Sequence, residues 1–354
     1  MKGLILSGGE GTRLRPLTHT QAKQLVPVAN KPILFYGLEA MRKAGIREIG
    51  LVVGETRPEI EGAVGDGHRF GLKVTYIDQK APLGLAHAVK ISEPFLKDSP
   101  FVMYLGDNII KDGITSLVEE FKKRRPTAMI LLAHVKEPQR FGVAELKEGK
   151  VVKLVEKPKK PRSDLALVGV YMFDHNIFKA VKAIKPSWRK ELEITDAIQY
   201  LIDKKHEVHS HIINGWWKDT GRQEDMLEAN RILLDSIDSK VEGRVDCQSR
   251  LIGKVRIEKG AQVVESTIRG PAIIGARTKI INSYIGPYTS IYYEVTVKNS
   301  EIEHSIILEK SVIDSLNHRL EDSLIGKNVY IGTSPLKPKA YRFMVGDNSQ
   351  VGVL

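Results

Sequence analysis

Up to about residue 235, short apolar runs alternate with segments whose apolar residues recur every three or four positions. The runs LILSG, IGLVVG, VTYIDQ, FVMYLGD, AMILLAHV and LVGVYMF predict strands. Their nearly continuous apolar character predicts burial on both faces. PILFYGLEAMRKAG, LAHAVKISEPFL and ITSLVEEFKKR predict amphipathic helices between them, and QEDMLEANRILLDSI closes the region. This alternation predicts an α/β fold: a doubly wound, mostly parallel sheet with helices on both faces. The polar stretch DSKVEGRVDCQSR (238–250) then marks a boundary, giving domains of 1–237 and 238–354.

Beyond the boundary the period changes. Aliphatic residues recur every five or six positions at Ile257, Val263, Ile268, Ile274, Ile280, Ile285, Ile291, Val297 and Ile302. The stretches VVESTIRGPAII, IINSYIGPYTSI and VKNSEI are offset by 17 residues, each carrying Glu or Asn before Ser and Ile two residues after it. A helix needs apolar spacing of three or four, and an alternating strand needs two. Spacing near six, grouped in threes, predicts a triangular coil with one inward aliphatic residue per face: a left-handed parallel β-helix. Such solenoids stack with copies of themselves, so a homo-oligomer through this domain is expected.

Composition narrows the setting. The chain has 354 residues, 42% hydrophobic and 27% charged, more than one compact core holds. No apolar run approaches the ~18 residues of a membrane span, and MKGLILSGG is too short an apolar start for a signal peptide. The single cysteine, Cys247, excludes an internal disulfide framework and Cys-rich metal sites. A cytoplasmic protein without membrane or nucleic-acid partners is expected. The formal charge of +11 suits anionic ligands. KKRR (122–125) reads as a helix end, where cations favour the dipole, rather than as a nucleic-acid patch.

The first apolar run opens into GGEGTRLRPLTHTQAK. A dinucleotide fingerprint needs glycine three residues after Gly11, where Leu14 stands, and a P-loop needs lysine directly after its last glycine. Neither pattern is met. The loop is either an anion cradle with Arg13, Arg15 and Lys23 supplying charge, or a plain turn with solvated cations. Asp107 ends the strand FVMYLGD, where open α/β sheets bind ligands, and Asp219 lies in GWWKDTGR. Two carboxylates completed by phosphate oxygens and waters suit Mg²⁺; no His/Cys spacing suits zinc.

Other signals are weaker. VEKP (155–158) follows a hairpin-like GVAELKEGKVVKL; Glu156 could accept from sugar hydroxyls and Lys157 could meet a phosphate, but taken alone the motif reads better as a surface pair before a proline turn. KELEITD (190–196) reads as a helix start capped by Thr195 or Asp196. Tyr76 and Lys80 have the Y-x-x-x-K spacing of a dehydrogenase pair, but the run begins in a strand, where a rise of ~3.3 Å per residue separates them.

The ordered set LSGGEGTRLRPLT, AKQLVPVANKP, QKAPLGLAHA, YLGDN, RFGVAEL, VEKP, VGVYMF, ELEITDA and WWKDTG resembles the sugar-1-phosphate nucleotidylyltransferases over the whole chain. The resemblance implies a Rossmann-like nucleotidyltransferase domain and transfer of a thymidylyl group from dTTP to glucose 1-phosphate. It implies Mg²⁺ held by Asp107 and Asp219, with Arg13 and Lys23 also catalytic. Leu6, Gly8, Gly9, Gly11, Thr12, Arg13, Gln24, Gln79, Pro82, Gly84 and Asp107 would bind the nucleotide. Asn108, Gly142, Glu156, Lys157, Val170 and Tyr171 would bind the sugar phosphate.

Three alternatives stay open. UTP differs from dTTP by one methyl on the base, worth only about 1–3 kcal/mol to a pocket. An acyltransferase activity on the β-helix would need a base such as His304 or His318. A non-catalytic subunit of the same architecture would be expected to lack Arg13, Lys23, Asp107 and Asp219, all of which are present. Lys218 stands where short-form relatives carry an apolar residue, so the wall beside Asp219 is expected to differ.

Overall fold

The computed structural model describes residues 1–354 except 10, 214, 335, 336, 338–344, 346–348, 353 and 354. By backbone contact the chain forms two compact units. One comprises Met1–Glu10, Gln21–Leu25 and Ile33–Asp219; the other comprises Gly11–Thr20, Val26–Pro32 and Thr220–Leu354.

The first unit is built on a nine-stranded sheet. Strands β1 (Lys2–Ser7), β2 (Glu48–Val53), β3 (Lys73–Asp78) and β4 (Phe101–Leu105) are parallel, in the spatial order β4-β1-β2-β3. The chain runs from β1 outward to β3 and then returns to the other side of β1 as β4. The topological switch therefore falls between β1 and β4. There Ser7-Gly8 and Gly106-Asp107 leave the sheet, at the edge where such folds bind ligands.

Strand β5 (Asn108–Ile110) leaves the sheet, while β6 (Ala128–His134) stays in it. A hairpin follows, β7 (Gly142–Lys147) with β8 (Lys150–Glu156), as the sequence predicts. Strand β9 (Leu165–Phe173) runs antiparallel to β4, β6 and β7, so the sheet is mixed rather than uniformly parallel. Between Leu167 and Tyr171 the β9–β6 register shifts. Such irregularities often re-aim a strand beside a functional site. Strand β10 (Val208–Ile212) pairs parallel with β6, and β11 (Trp217–Asp219) pairs antiparallel with β5.

Helices α1 (Ile33–Lys43), α2 (Arg57–Val64), α3 (Leu85–Ile91), α4 (Glu93–Leu96), α5 (Thr115–Arg124), α6 (Ile177–Ala183) and α7 (Ile194–Asp203) connect the strands. They cover two buried layers, one around Leu4, Phe101 and Phe173, the other around Ile5, Leu51 and Tyr104. Consecutive residues of β1 thus go to opposite cores, which is why its sequence is apolar without alternation. Helix α5 ends at Arg124 with Arg125 as its cap, so the KKRR run is a helix end, as expected.

The second unit is a left-handed parallel β-helix with three sheets. One coil is made by Val255–Ile257, Gln262–Val264 and Thr267–Arg269; the next places Ala272–Ile274, Lys279–Ile281 and Tyr284–Ile285 above them. Pairs such as Val255↔Ala272, Val263↔Ile280 and Ile268↔Ile285 show the 17-residue step directly. All nine predicted inward residues are buried in one aliphatic column.

The 17-residue repeat of Ser with a preceding Glu or Asn has a mechanical cause. Glu265, Asn282 and Asn299 turn the corner with φ of 49°, 43° and 46°, a left-handed conformation that asparagine tolerates well. Each following serine accepts the next coil's backbone N–H: Ser283 N to Ser266 Oγ at 3.0 Å, then Ser300 N to Ser283 Oγ at 3.3 Å. Each hydroxyl donates to the carbonyl two residues back. The ladder satisfies buried corner amides that a parallel coil leaves open.

Helix α8 (Gln223–Leu234), which the sequence reading places at the end of the first domain, goes by contact with this second unit. Its Asn230 is 1% exposed. The side-chain oxygen accepts from Ala29 N at 2.9 Å and from Ser290 Oγ at 2.6 Å, while its amide donates to Tyr288 O at 2.9 Å. Asn30 donates to Ile291 O, and Lys327 donates to Thr20 O at 2.9 Å. The two loop segments from the chain's start are therefore anchored to the coil by named polar contacts.

Candidate active site

The ribbon of β5 and β11 brings together residues more than a hundred positions apart. Asp219 lies opposite Asn108, directly beside Asp107. Lys23, on a short 3-10 turn at Lys23–Leu25, sends its ammonium to both carboxylates: 2.5 Å from Asp107 Oδ2 and 4.0 Å from Asp219 Oδ1. The lysine side chain is only 7% exposed, against 24% and 22% for the two aspartates.

Burial pushes the Asp107 carboxyl up, but the Lys23 charge, with hydrogen bonds from Lys23 and Asn108, outweighs it and holds the group below its ordinary value. Asn108 Nδ2 donates to Asp107 Oδ1 at 2.8 Å, and Asn108 Oδ1 accepts from Trp217 Nε1 at 2.5 Å. Asn108 is 2% exposed. Its amide is thus engaged on both ends in holding Asp107. Gly169 makes room for it, because a Cβ there would sit 2.6 Å from Asn108 Oδ1.

Among the described residues no group of three or more His, Cys, Asp or Glu side chains is placed to hold a metal. The donor set that does converge is two carboxylates already facing one cation. That fits a divalent ion whose remaining ligands are phosphate oxygens and water. Two buried atoms nearby lack protein partners: Ser7 Oγ, against which a Cβ on Gly106 would press, and Gln24 Oε1. Gln24 is 3% exposed, and a Cβ on Gly9 would lie 3.9 Å from its amide nitrogen.

A second cluster lies at the end of β3. Gln79 Nε2 reaches Gly84 O at 3.2 Å and His87 Nδ1 at 3.1 Å. A Cβ on Gly8 would sit 3.1 Å from Gln79 Oε1, so that oxygen is turned toward the glycine loop. Gly84 has φ +100°, and a Cβ on it would collide with the Leu192 carbonyl. The segment is closed by Leu192 N donating to Leu83 O and Ala86 N donating to Leu192 O. Pro82 is exposed on this turn. Burial first, and then the charge of Lys90, lower the pKa of His87.

A third cluster surrounds Glu156. The β7–β8 register pairs it with Gly142, where a Cβ would meet Thr195 at 2.6 Å and Glu156 Oε2 at 3.2 Å. Thr195 Oγ1 donates to Glu156 Oε2 at 3.4 Å. Arg189 Nη1 lies 3.5 Å from Glu156 Oε1 and 3.3 Å from Glu193 Oε1, and Lys157 Nζ lies 3.8 Å from Glu156 Oε1. Burial raises the Glu156 pKa and the charge of Glu193 adds to this, against Lys157 and Arg189. The Phe141 ring packs edge-on against Trp217 at 5.2 Å, joining this cluster to the Asp107 cluster.

The structure sorts the expected site residues. Lys23, Asp107, Asn108 and Asp219 converge, as do Gly8, Gln79 and Gly84, and as do Gly142, Glu156 and Lys157. Leu6, Val170 and Tyr171 put their side chains into the core at 8%, 0% and 4% exposure, leaving only backbone to meet a ligand. Gly11, Thr12 and Arg13 fall in the second unit, where Gly11 precedes the 3-10 turn Thr12–Leu14 and Arg13 is exposed. His304 sits at a coil corner, its ring edge-on to Tyr288 and 3.5 Å from Asp322.

Sequence reading missed Arg189, Glu193, Trp217 and His87. Helix α7 begins at Ile194 with Glu193 as its cap, so neither Thr195 nor Asp196 is the cap predicted; Thr195 lies inside the helix and faces Glu156 instead. The charged KELE preceding an amphipathic run was the available signal.

The family profile described as nucleotidyl transferase matches residues 2–236. A relative from Streptomyces griseus named glucose-1-phosphate thymidylyltransferase is 54% identical over 354 residues, covering 100% of this chain and 99% of its own. One of the same name from Streptomyces antibioticus is 56% identical over 355 residues, with coverage of 100% and 99%. The crystal structure of a Bacillus anthracis protein in complex with sucrose is 36% identical with a TM-score of 0.63, covering 68% of this chain and 97% of that one.

Proposed function

Because this chain belongs to the nucleotidyl transferase family, we propose that it transfers a thymidylyl group from dTTP to glucose 1-phosphate, forming dTDP-glucose and pyrophosphate. The observation that carries the chemistry is Lys23 reaching both Asp107 and Asp219 at the sheet's switch point. The choice of substrates rests on the two full-length relatives named for that reaction.

A phosphate oxygen of the sugar phosphate attacks the α-phosphorus in line, and the bond to the β,γ-pyrophosphate breaks. The attacking oxygen is already anionic at neutral pH, so no residue has to remove a proton. Catalysis reduces to positioning and charge neutralisation. Lys23 supplies fixed positive charge beside the α-phosphate. Asp107 and Asp219 would hold Mg²⁺, which when bound neutralises phosphate charge. Asn108 and Trp217 fix the Asp107 carboxylate. The backbone at Gly8 and Gly9 approaches the triphosphate, and Gln24 Oε1 offers an acceptor to the nucleoside. Gln79 reads the base edge.

Glu156 accepts from sugar hydroxyls in a pocket floored by Gly142, and Lys157 with Arg189 meets the sugar's phosphate. The second unit serves assembly into a homo-oligomer. No described helix is long and apolar enough to cross a membrane, and a cytoplasmic setting follows from the nucleotide substrate.

A panel of nucleoside triphosphates against sugar 1-phosphates, read by pyrophosphate release, tests this. The highest kcat/KM is expected for dTTP with glucose 1-phosphate, with UTP accepted more weakly. A strong preference for ATP or GTP overturns the base-site reading.

A further inference from the structure

The Gln79 amide has a determinable orientation. The Gly84 carbonyl can only accept a hydrogen bond, so the side-chain atom 3.2 Å from it must be the NH₂ nitrogen. The second hydrogen of that nitrogen points to His87 Nδ1 at 3.1 Å. His87 Nδ1 must then carry a lone pair, which requires a neutral ring with its proton on Nε2. With both amide hydrogens engaged, Oε1 is the end left toward Gly8. A nucleobase entering there meets an acceptor.

We propose that His87 is a specificity-positioning residue: by accepting from the Gln79 amide it fixes Oε1 as the acceptor that selects bases carrying an N3–H. Thymine and uracil donate from N3. Cytosine presents a lone pair at N3, which faces Oε1 repulsively. The inference rests on the reading of Gln79 as the base contact and adds what sets its direction. Burial and Lys90, the charged group acting on the ring, both favour the neutral form that this arrangement needs. Removing His87 leaves the amide held by Gly84 alone, free to turn its NH₂ toward the base.

The test compares kcat/KM for dTTP and for dCTP, each with glucose 1-phosphate, in the wild type and in three variants. His87→Leu is expected to lower the dTTP:dCTP ratio about tenfold, the loss of roughly one hydrogen bond. The change should come through KM for dTTP, with kcat within about twofold. His87→Asn keeps an acceptor at the Nδ1 position and is expected to restore the ratio to within about threefold of wild type. An unchanged ratio in His87→Leu, an equal fall for both nucleotides, or failure of His87→Asn to restore the ratio overturns the inference. Gln79→Leu separates this from the reading beneath it. If that variant keeps the wild-type ratio, the base-contact assignment itself is wrong; if it loses the ratio while His87→Leu does not, only the role of His87 falls.

Discussion

Replacing Lys23 with Met keeps the length of the side chain and removes its charge. The ammonium that reaches Asp107 at 2.5 Å and Asp219 at 4.0 Å then disappears from between two carboxylates that are about a quarter exposed. Removing one partner of a fully buried ion pair costs about 3–5 kcal/mol. Partial solvation of both aspartates lowers that to roughly 1–3 kcal/mol. For a unit of this size the loss corresponds to a fall in Tm of about 3–10 °C. The Asp107 carboxyl is held below its ordinary 3.8 in the folded state, so this contribution is present above that pH and is lost on acidification through the folded value. Differential scanning fluorimetry at pH 7.5 in chelator should show the fall, and millimolar Mg²⁺ should recover most of it by supplying a cation to the same carboxylates. Turnover with Mg²⁺ should stay about 10²–10³-fold below wild type, the cost of losing one preorganised charge. A variant as stable as wild type in chelator, or one whose Tm ignores Mg²⁺, refutes the reasoning.

Asp107→Asn and Asp219→Asn should each cut kcat at least ~100-fold while circular dichroism stays unchanged; near-normal rates at saturating Mg²⁺ would remove the two-carboxylate assignment. Burial and Glu193 raise the Glu156 pKa, so the folded state binds that proton more tightly than the unfolded chain does. Stability from this group is full below its ordinary 4.5 and lost as pH rises through the folded value, so Glu156→Gln should raise Tm at pH 8. The same change should raise KM for glucose 1-phosphate about tenfold and weaken the rise in KM expected of wild type on mild acidification. Gly169→Ala brings a methyl to 2.6 Å from Asn108 Oδ1 and should lower kcat about tenfold by displacing Asp107, with a stability loss of about 1–3 kcal/mol. Ile274→Asp puts a carboxylate into the aliphatic column of the coil and should destabilise the second unit by more than ~3 kcal/mol, read by urea unfolding and solution mass.

The sequence shows most where a local rule governs. The spacing of Ile257 to Ile302 follows from one inward side chain per coil face, and those positions are the ones buried. Asp107 was visible because a strand end at a switch point is a local feature of an α/β chain. What stayed hidden depends on pairing across long separations. Nothing near Asn108 announces that Trp217 will donate to it, because that contact requires β5 and β11 to align. Arg189 and Glu193 look like solvated charges before α7 until the β7–β8 hairpin presents Glu156 to them. The segment Gly11–Thr20 reads as a cradle or turn after its strand, yet by contact it belongs with Thr220–Leu354, through groups such as Lys327. Nothing in the motif GLAHA singles out His87, because its side-chain partner is Gln79, eight residues back and outside the helix.

The central claim, that a nucleotidyl group passes from dTTP to a sugar phosphate at Lys23, Asp107 and Asp219, is tested most directly by following the α-phosphorus. Enzyme incubated with dTTP labelled at the α-phosphate, glucose 1-phosphate and Mg²⁺ should place the label in dTDP-glucose, one for one with pyrophosphate released, and Asp219→Asn should place almost none there. Label recovered as dTMP or dTDP without sugar, or an equal yield of dTDP-glucose from Asp219→Asn, would contradict it.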